Sequence, residues 1–172
     1  MPDSLLVRGL RGDDWESLYT LLSLTEVVRH SLELPFTAED TFRDRFSSPP
    51  ANTRILIVET SLPSGRKQIV GTAWLRVMSR RRRHTGELSL LMHPDYAEAE
   101  VRLLEAALDL ADNWLGLRRL EVVVYADAAA QIALYERLGF QIEATMRRYA
   151  FRDGSYNDAC LLARVRGRGG DA

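Results

Sequence analysis

The sequence predicts a single α/β domain built on one mixed sheet with helices on both faces. Three observations lead there. Val101, Leu104, Leu108, Ala111 and Leu115 step by three and four, as a helix with one buried stripe requires. That helix stands between two strand-like runs, Glu87–Met92 and Leu120–Tyr125. The chain then closes on Asp153-Gly154 between two further strand-like runs, the strongest short hairpin signal it contains.

Taken in order, Leu5–Leu10 reads as a first strand. Asp13 is expected to cap a helix, with Glu16 completing a capping box and Trp15, Leu18, Tyr19 and Leu22 forming its apolar face. Leu24–Leu34 continues helical until Pro35, and a further helix runs over Thr37–Phe46. Arg54–Glu59 and Gln68–Val77 flank a turn-rich stretch and predict an antiparallel hairpin. The arginine run Arg80–Arg83 precedes the strand ending at Met92, which Pro94 stops. Gly116 offers a left-handed end to the central helix, and Asp127 a cap for one carrying Ile132, Tyr135 and Leu138. Phe140–Phe151 and Tyr156–Val165 make the final hairpin. A strand–helix–strand–helix segment thus sits mid-chain, where a ligand meets strand ends and a helix N-terminus.

The chain has 172 residues, 46% hydrophobic and 27% charged, the balance of a soluble domain with a real core. A net charge of −1 speaks against bulk electrostatic capture of nucleic acid or membrane, and neither is expected as a partner. The single cysteine, Cys160, excludes an internal disulfide and reads as a buried strand thiol. No signal-peptide core or membrane-spanning run is present, so a cytoplasmic location is expected. The domain is placed at residues 1–166 with a flexible tail at 167–172, and the basic, Gly-rich tail sequence begins at Arg164 and runs to Gly170. His30, His84 and His93 are too scattered to suggest a metal motif.

The element order and the phrase Ala133-Leu-Tyr-Glu-Arg-Leu-Gly-Phe140 resemble the GNAT (Gcn5-related N-acetyltransferase) superfamily. So do His93-Pro-Asp-Tyr96, Glu143–Tyr149 and Tyr156–Ala163, the last two most of all like a bacterial branch acetylating small amines or amino acids. The resemblance covers residues 5–166. It implies the acyl-CoA N-acyltransferase fold, a mostly antiparallel sheet with one parallel pair. It also implies acetyl-CoA as cosubstrate with no metal, a small-molecule amine or amino acid as acceptor, and a homodimer with the final hairpin as its edge.

By the same resemblance the strand residues Leu90, Leu91 and Met92 offer backbone groups to the pantetheine and thioester, and Arg102 contacts the diphosphate. Tyr135 matches the family's proton donor to the leaving thiolate; its neighbours Ile132 and Leu138 suit core packing equally. Glu87 reads as the general base, or as a solvated acid at a strand start. His84 is the runner-up base. The arginine run reads as a solvated turn or as an anion-binding element.

One departure stands out. The family places glycines before the central helix, where they let consecutive N–H groups close on the diphosphate. Here the stretch is shorter and reads Asp95-Tyr-Ala-Glu-Ala-Glu-Val-Arg102, with no glycine between Gly86 and Gly116. Asp95, Glu98 and Glu100 stand where the anion belongs. Asp127–Ala130 also replaces the family's pantetheine-holding Asn. The alternative function is therefore a GNAT-fold binding or regulatory protein with a degenerate loop and lost CoA binding.

Overall fold

A computed structural model describes residues 5–167. Among them are seven strands, β1 (Leu6–Gly9), β2 (Thr53–Ser61), β3 (Lys67–Val77), β4 (Thr85–Met92), β5 (Arg119–Tyr125), β6 (Gln141–Arg152) and β7 (Ser155–Val165). The helices are α1 (Trp15–Leu22), α2 (Thr25–Arg29), α3 (Glu39–Ser47), α4 (Glu98–Asp109) and α5 (Ala129–Arg137). The sheet order is β1-β2-β3-β4-β5-β7-β6. β1–β2, β5–β7 and β7–β6 pair antiparallel, and β4–β5 pair parallel from Thr85↔Arg119 to Leu88↔Val122. The fold expected from the sequence is the fold observed.

Two compact units divide the chain: residues up to Leu75 with Leu90–Leu110, and Arg76–Ser89 with the residues from Ala111 on. In the first, Leu18, Leu21 and Leu22 of α1 pack with Val27, Phe42, Phe46, Ile57 and Ile69 into one core, with Trp15 and Tyr19 against it. α4 buries Ala99, Leu103, Leu104, Ala107 and Leu108, whereas Val101 is exposed. The buried stripe is thus offset from the predicted one, and a π-helical turn over Leu110–Trp114 resets its phase at the helix end. In the second unit, Leu120, Val122 and Val124 of β5 are buried along with Leu162 and Cys160 of β7. Asp153 and Gly154 both take left-handed φ, +50° and +79°, as a two-residue hairpin turn requires. Of the basic tail, Arg164 and Val165 end β7, and residues 168–172 lie outside the described residues.

Two expected helix boundaries are corrected. The capping box from Asp13 does not form: Asp14 is the N-cap position, and its side chain makes no cap bond. Its carboxylate instead accepts the Arg8 guanidinium at 2.7 and 2.8 Å and the Arg11 N–H at 2.6 Å. The helix expected through Leu34 stops at Arg29. Ser31 Oγ donates to the Val28 carbonyl and accepts the Glu33 N–H, both at 3.0 Å, which gives the backbone a competing turn.

Arg8 also donates Nε to Glu59 Oε2 at 2.9 Å, and Lys67 reaches Glu59 Oε1 at 2.6 Å. Burial, the largest single influence on Asp14, pushes its carboxyl up, but the bonds from Arg8 and Arg11 outweigh it and hold it below the usual range. Glu59 behaves alike: Lys67 and Arg8 together overcome its burial. Arg8→Ala takes one partner from each of two buried carboxylates, leaving Glu59 with Lys67 and Asp14 with the Arg11 N–H, and urea denaturation should show a loss of about 3 kcal/mol. Since both folded pKa values lie below the unfolded values near about 4, the network's contribution is full above that pH. It should fade as pH falls through the folded values, and acid titration of Arg8→Ala should show a shallower loss.

Candidate active site

The first unit contributes the end of β4 and the start of α4. Leu90 is buried, and Leu91 and Met92 are half-buried on extended backbone. Met92 lies against β3 at Gly71, where an added Cβ would meet Met92 Sδ and come within 2.8 Å of its Cε and 2.9 Å of Val58 Cγ1. Glycine there is a space requirement. The His93 N–H donates to the Val70 carbonyl at 2.8 Å and continues this contact past the strand end. His93 Nδ1 accepts the Asp95 N–H at 3.2 Å, and its ring meets Tyr96 edge-on at 5.4 Å. Pro94–Tyr96 form one 3₁₀ turn, and Ala97, at φ −56° and ψ −28°, carries it directly into α4.

No residue from His93 to Arg102 has a positive φ, so the stretch lacks the alternation of right- and left-handed residues that forms one class of N–H nest. Asp95 and Glu98 are exposed, Glu100 is half-buried, and Arg102 is exposed one turn along the helix. From His93 to Asp109 the chain carries five carboxylates and one arginine.

The second unit holds Glu87 and Tyr135. Glu87 is half-exposed on β4, where Oε2 accepts Arg76 Nε at 3.1 Å and a second bond from its Nη2. The carboxylate is thus already paired with a guanidinium. Tyr135 is fully buried, its ring edge-on to Phe140 at 5.2 Å. The local phrase explains this placement. Gly139 turns left-handed at φ +88°, and the Phe140 N–H then returns to the Tyr135 carbonyl at 3.1 Å, folding Phe140 under the helix end. His84 is exposed at the start of β4, with its carbonyl taken by the Arg118 and Arg119 N–H groups at 2.9 and 3.1 Å.

Asp127 does not cap α5, whose N-cap position is Ala128. It pairs with Arg152 instead, and Arg152 also bonds Asn157 Oδ1 at 2.9 Å and lies 4.3 Å over the Tyr125 ring. Burial pushes the Tyr125 hydroxyl above its ordinary value, with Arg152 pulling the other way. This cluster at the end of β5 escaped the sequence reading, because its members lie on three separate elements. Phe36 and Tyr156 are exposed, and Trp15 packs on the first unit's core.

Comparison with known proteins gives a consistent picture. The Acetyltransferase (GNAT) domain family matches residues 4–141. The L-amino acid N-acetyltransferase AaaT of Escherichia coli is 27% identical over 94% of this chain and 98% of its own. The spermidine N-acetyltransferase of Vibrio cholerae, solved with CoA and spermine, superposes with a TM-score of 0.82 at 20% identity, over 94% of this chain and 95% of that one. A phosphinothricin acetyltransferase from Sinorhizobium meliloti, solved with acetyl-CoA, gives 0.79 at 21%, over 98% and 92%. No helix among the described residues is long and apolar enough to cross a membrane.

The Gly71–Met92 contact is testable within one unit. Gly71→Ala should cost about 1–3 kcal/mol in urea denaturation, and adding Met92→Ala should recover part of that loss in a double-mutant cycle. Strict additivity would mean that Met92 is not the group displaced.

Proposed function

The chain belongs to the acetyltransferase (GNAT) domain family, and from that premise we propose that it transfers the acetyl group of acetyl-CoA to the primary amine of a small molecule or amino acid. One observation carries the proposal. The matched residues span the β4–α4–β5 crossover, which creates the parallel pair in the sheet. The acceptor class is supported by the relative named for L-amino acids and the neighbour solved with spermine, both carriers of primary amines.

The transfer needs the amine deprotonated, the thioester carbonyl polarised and the leaving thiolate protonated. Leu90, Leu91 and Met92 suit the pantetheine arm, being extended backbone at a strand end. Tyr135 is assigned the thiolate proton and Glu87 the amine proton. Glu87 is preferred to His84 because β4 rises about 3.3 Å per residue, and His84 lies at its far end from Met92.

The diphosphate end fits poorly. A turn without left-handed residues, carrying Asp95 and leading to Glu98 and Glu100, leaves Arg102 and the α4 N-terminus to hold the anion. The same observation favours a second reading, a binding or regulatory protein that has lost the donor. A homodimer through the final hairpin is supported by β6 standing at the sheet edge with most of its residues exposed.

Calorimetric titration should detect acetyl-CoA, and replacing Tyr96–Arg102 with a glycine-containing loop should tighten binding about ten-fold or more. No heat at millimolar donor in either protein would sink the enzymatic reading and leave the second. In an active preparation, Tyr135→Phe keeps the packing and should lower kcat about 100-fold or more, with little change in KM. Unchanged turnover would remove Tyr135 from the chemistry.

A further inference from the structure

At the end of the second unit where β4 and β5 begin and β7 ends, arginines from three separate segments meet. Arg80–Arg83 form a tight 3₁₀ turn in which Arg80 takes φ +56°, a conformation that glycine would adopt without strain. The His84 carbonyl then accepts the Arg118 and Arg119 N–H groups, and the Arg118 carbonyl accepts the Arg166 N–H at 2.8 Å. Arg118 Nη1 reaches the Gly167 carbonyl at 3.2 Å. Backbone hydrogen bonds thus join the three segments into one surface.

The carboxylates present are already shared. Glu121 serves Arg82 and Arg119, Glu143 serves Arg119, and Asp112 serves Arg164 and Arg166. Arg80, Arg81, Arg83 and Arg118 are exposed, with no carboxylate bonded to them among the described residues. Trp114 is 77% exposed in the π-helical turn that the Leu117 N–H closes on the Ala111 carbonyl at 2.9 Å. Asp112 in the same turn binds Arg166 at 3.0 Å, which ties the tryptophan's turn to the arginine surface.

We propose that this surface binds single-stranded nucleic acid. Guanidinium forks match phosphate oxygens, and free arginines held together on a scaffold present a local positive field to a polyanion. A net charge of −1 describes the whole chain and does not cancel a field confined to one end. The exposed indole distinguishes the ligand. A base stacks on a flat aromatic face, whereas a run of carboxylates gains nothing from one. The surface shares no residue with Leu90–Met92, Glu87 or Tyr135, so the proposal stands whether or not acetyl transfer does.

The test is fluorescence anisotropy of a short labelled single-stranded RNA, and of DNA of the same sequence, with the full chain across a salt series. Binding of either supports the proposal, and their ratio assigns the source. The logarithm of affinity should fall with the logarithm of salt at a slope of about −3, close to 0.7 per neutralised phosphate. Arg81→Ala/Arg83→Ala should flatten that slope by about 1.4. Trp114→Ala should weaken binding about five-fold or more with the slope unchanged, and Trp114→Phe should restore most of it. Arg66→Ala, an exposed arginine of the first unit, should change neither. Absence of binding at low salt would overturn the proposal. So would poly-glutamate binding as tightly as the oligonucleotide with Trp114→Ala without effect, which would assign the surface to an acidic protein segment.

Discussion

Two parallel neighbours cannot be joined by a turn; the chain must cross over before the second strand can start. β4 and β5 are such a pair, and α4 is the crossover. Much else follows from that constraint. The helix must lie on the sheet, so Ala99, Leu103, Leu104, Ala107 and Leu108 are apolar and buried. It must also end where Arg119 can take register with Thr85. The π-helical turn and the bond from Leu117 to Ala111 set that point. At the other end, the chain must leave β4 and enter α4 within five residues, His93 to Ala97.

Those five residues carry the conflict in this chain. Glycines there would let the backbone wrap an anion at some cost in helix order. This sequence takes the opposite course: Pro94 and a 3₁₀ turn feed α4 directly, and Glu98 and Glu100 complement its N-terminal dipole, each worth about 0.3–1 kcal/mol. A carboxylate that stabilises the free helix end does so by standing where a phosphate would. Under the proposed reaction, a gain in helix stability and a weaker hold on the donor would share one cause.

What could be read from sequence was what short-range rules decide. The Asp153-Gly154 hairpin and the strand–helix–strand order around α4 needed only local periodicity and turn chemistry. Where a distant group intervened, local reading failed. Asp14 and Asp127 look like helix caps, yet each turns to an arginine on another element, Arg8 and Arg152. Glu87 reads as a free strand acid, but Arg76 on the neighbouring strand holds it. Val101 entered the predicted stripe because ideal periodicity does not foresee a π turn further along the helix. Tyr135 was ambiguous for a different reason: its helical spacing asks for a buried ring, which packing on Phe140 supplies whatever its hydroxyl does.

The same limit bears on the charges at the two ends of β4. Before its start lies the arginine run; beyond its end lie Asp95, Glu98 and Glu100. The net charge of −1 averages over all of them, whereas a ligand meets only the charges within a screening length of about 8–10 Å at physiological salt. In the second unit Glu121, Glu143 and Asp112 are each already bonded to arginines, which leaves Arg80, Arg81 and Arg83 without a carboxylate among the described residues. A whole-chain charge near zero is therefore compatible with a positive field confined to that turn, and the sign a ligand meets there is set by which carboxylates are already taken.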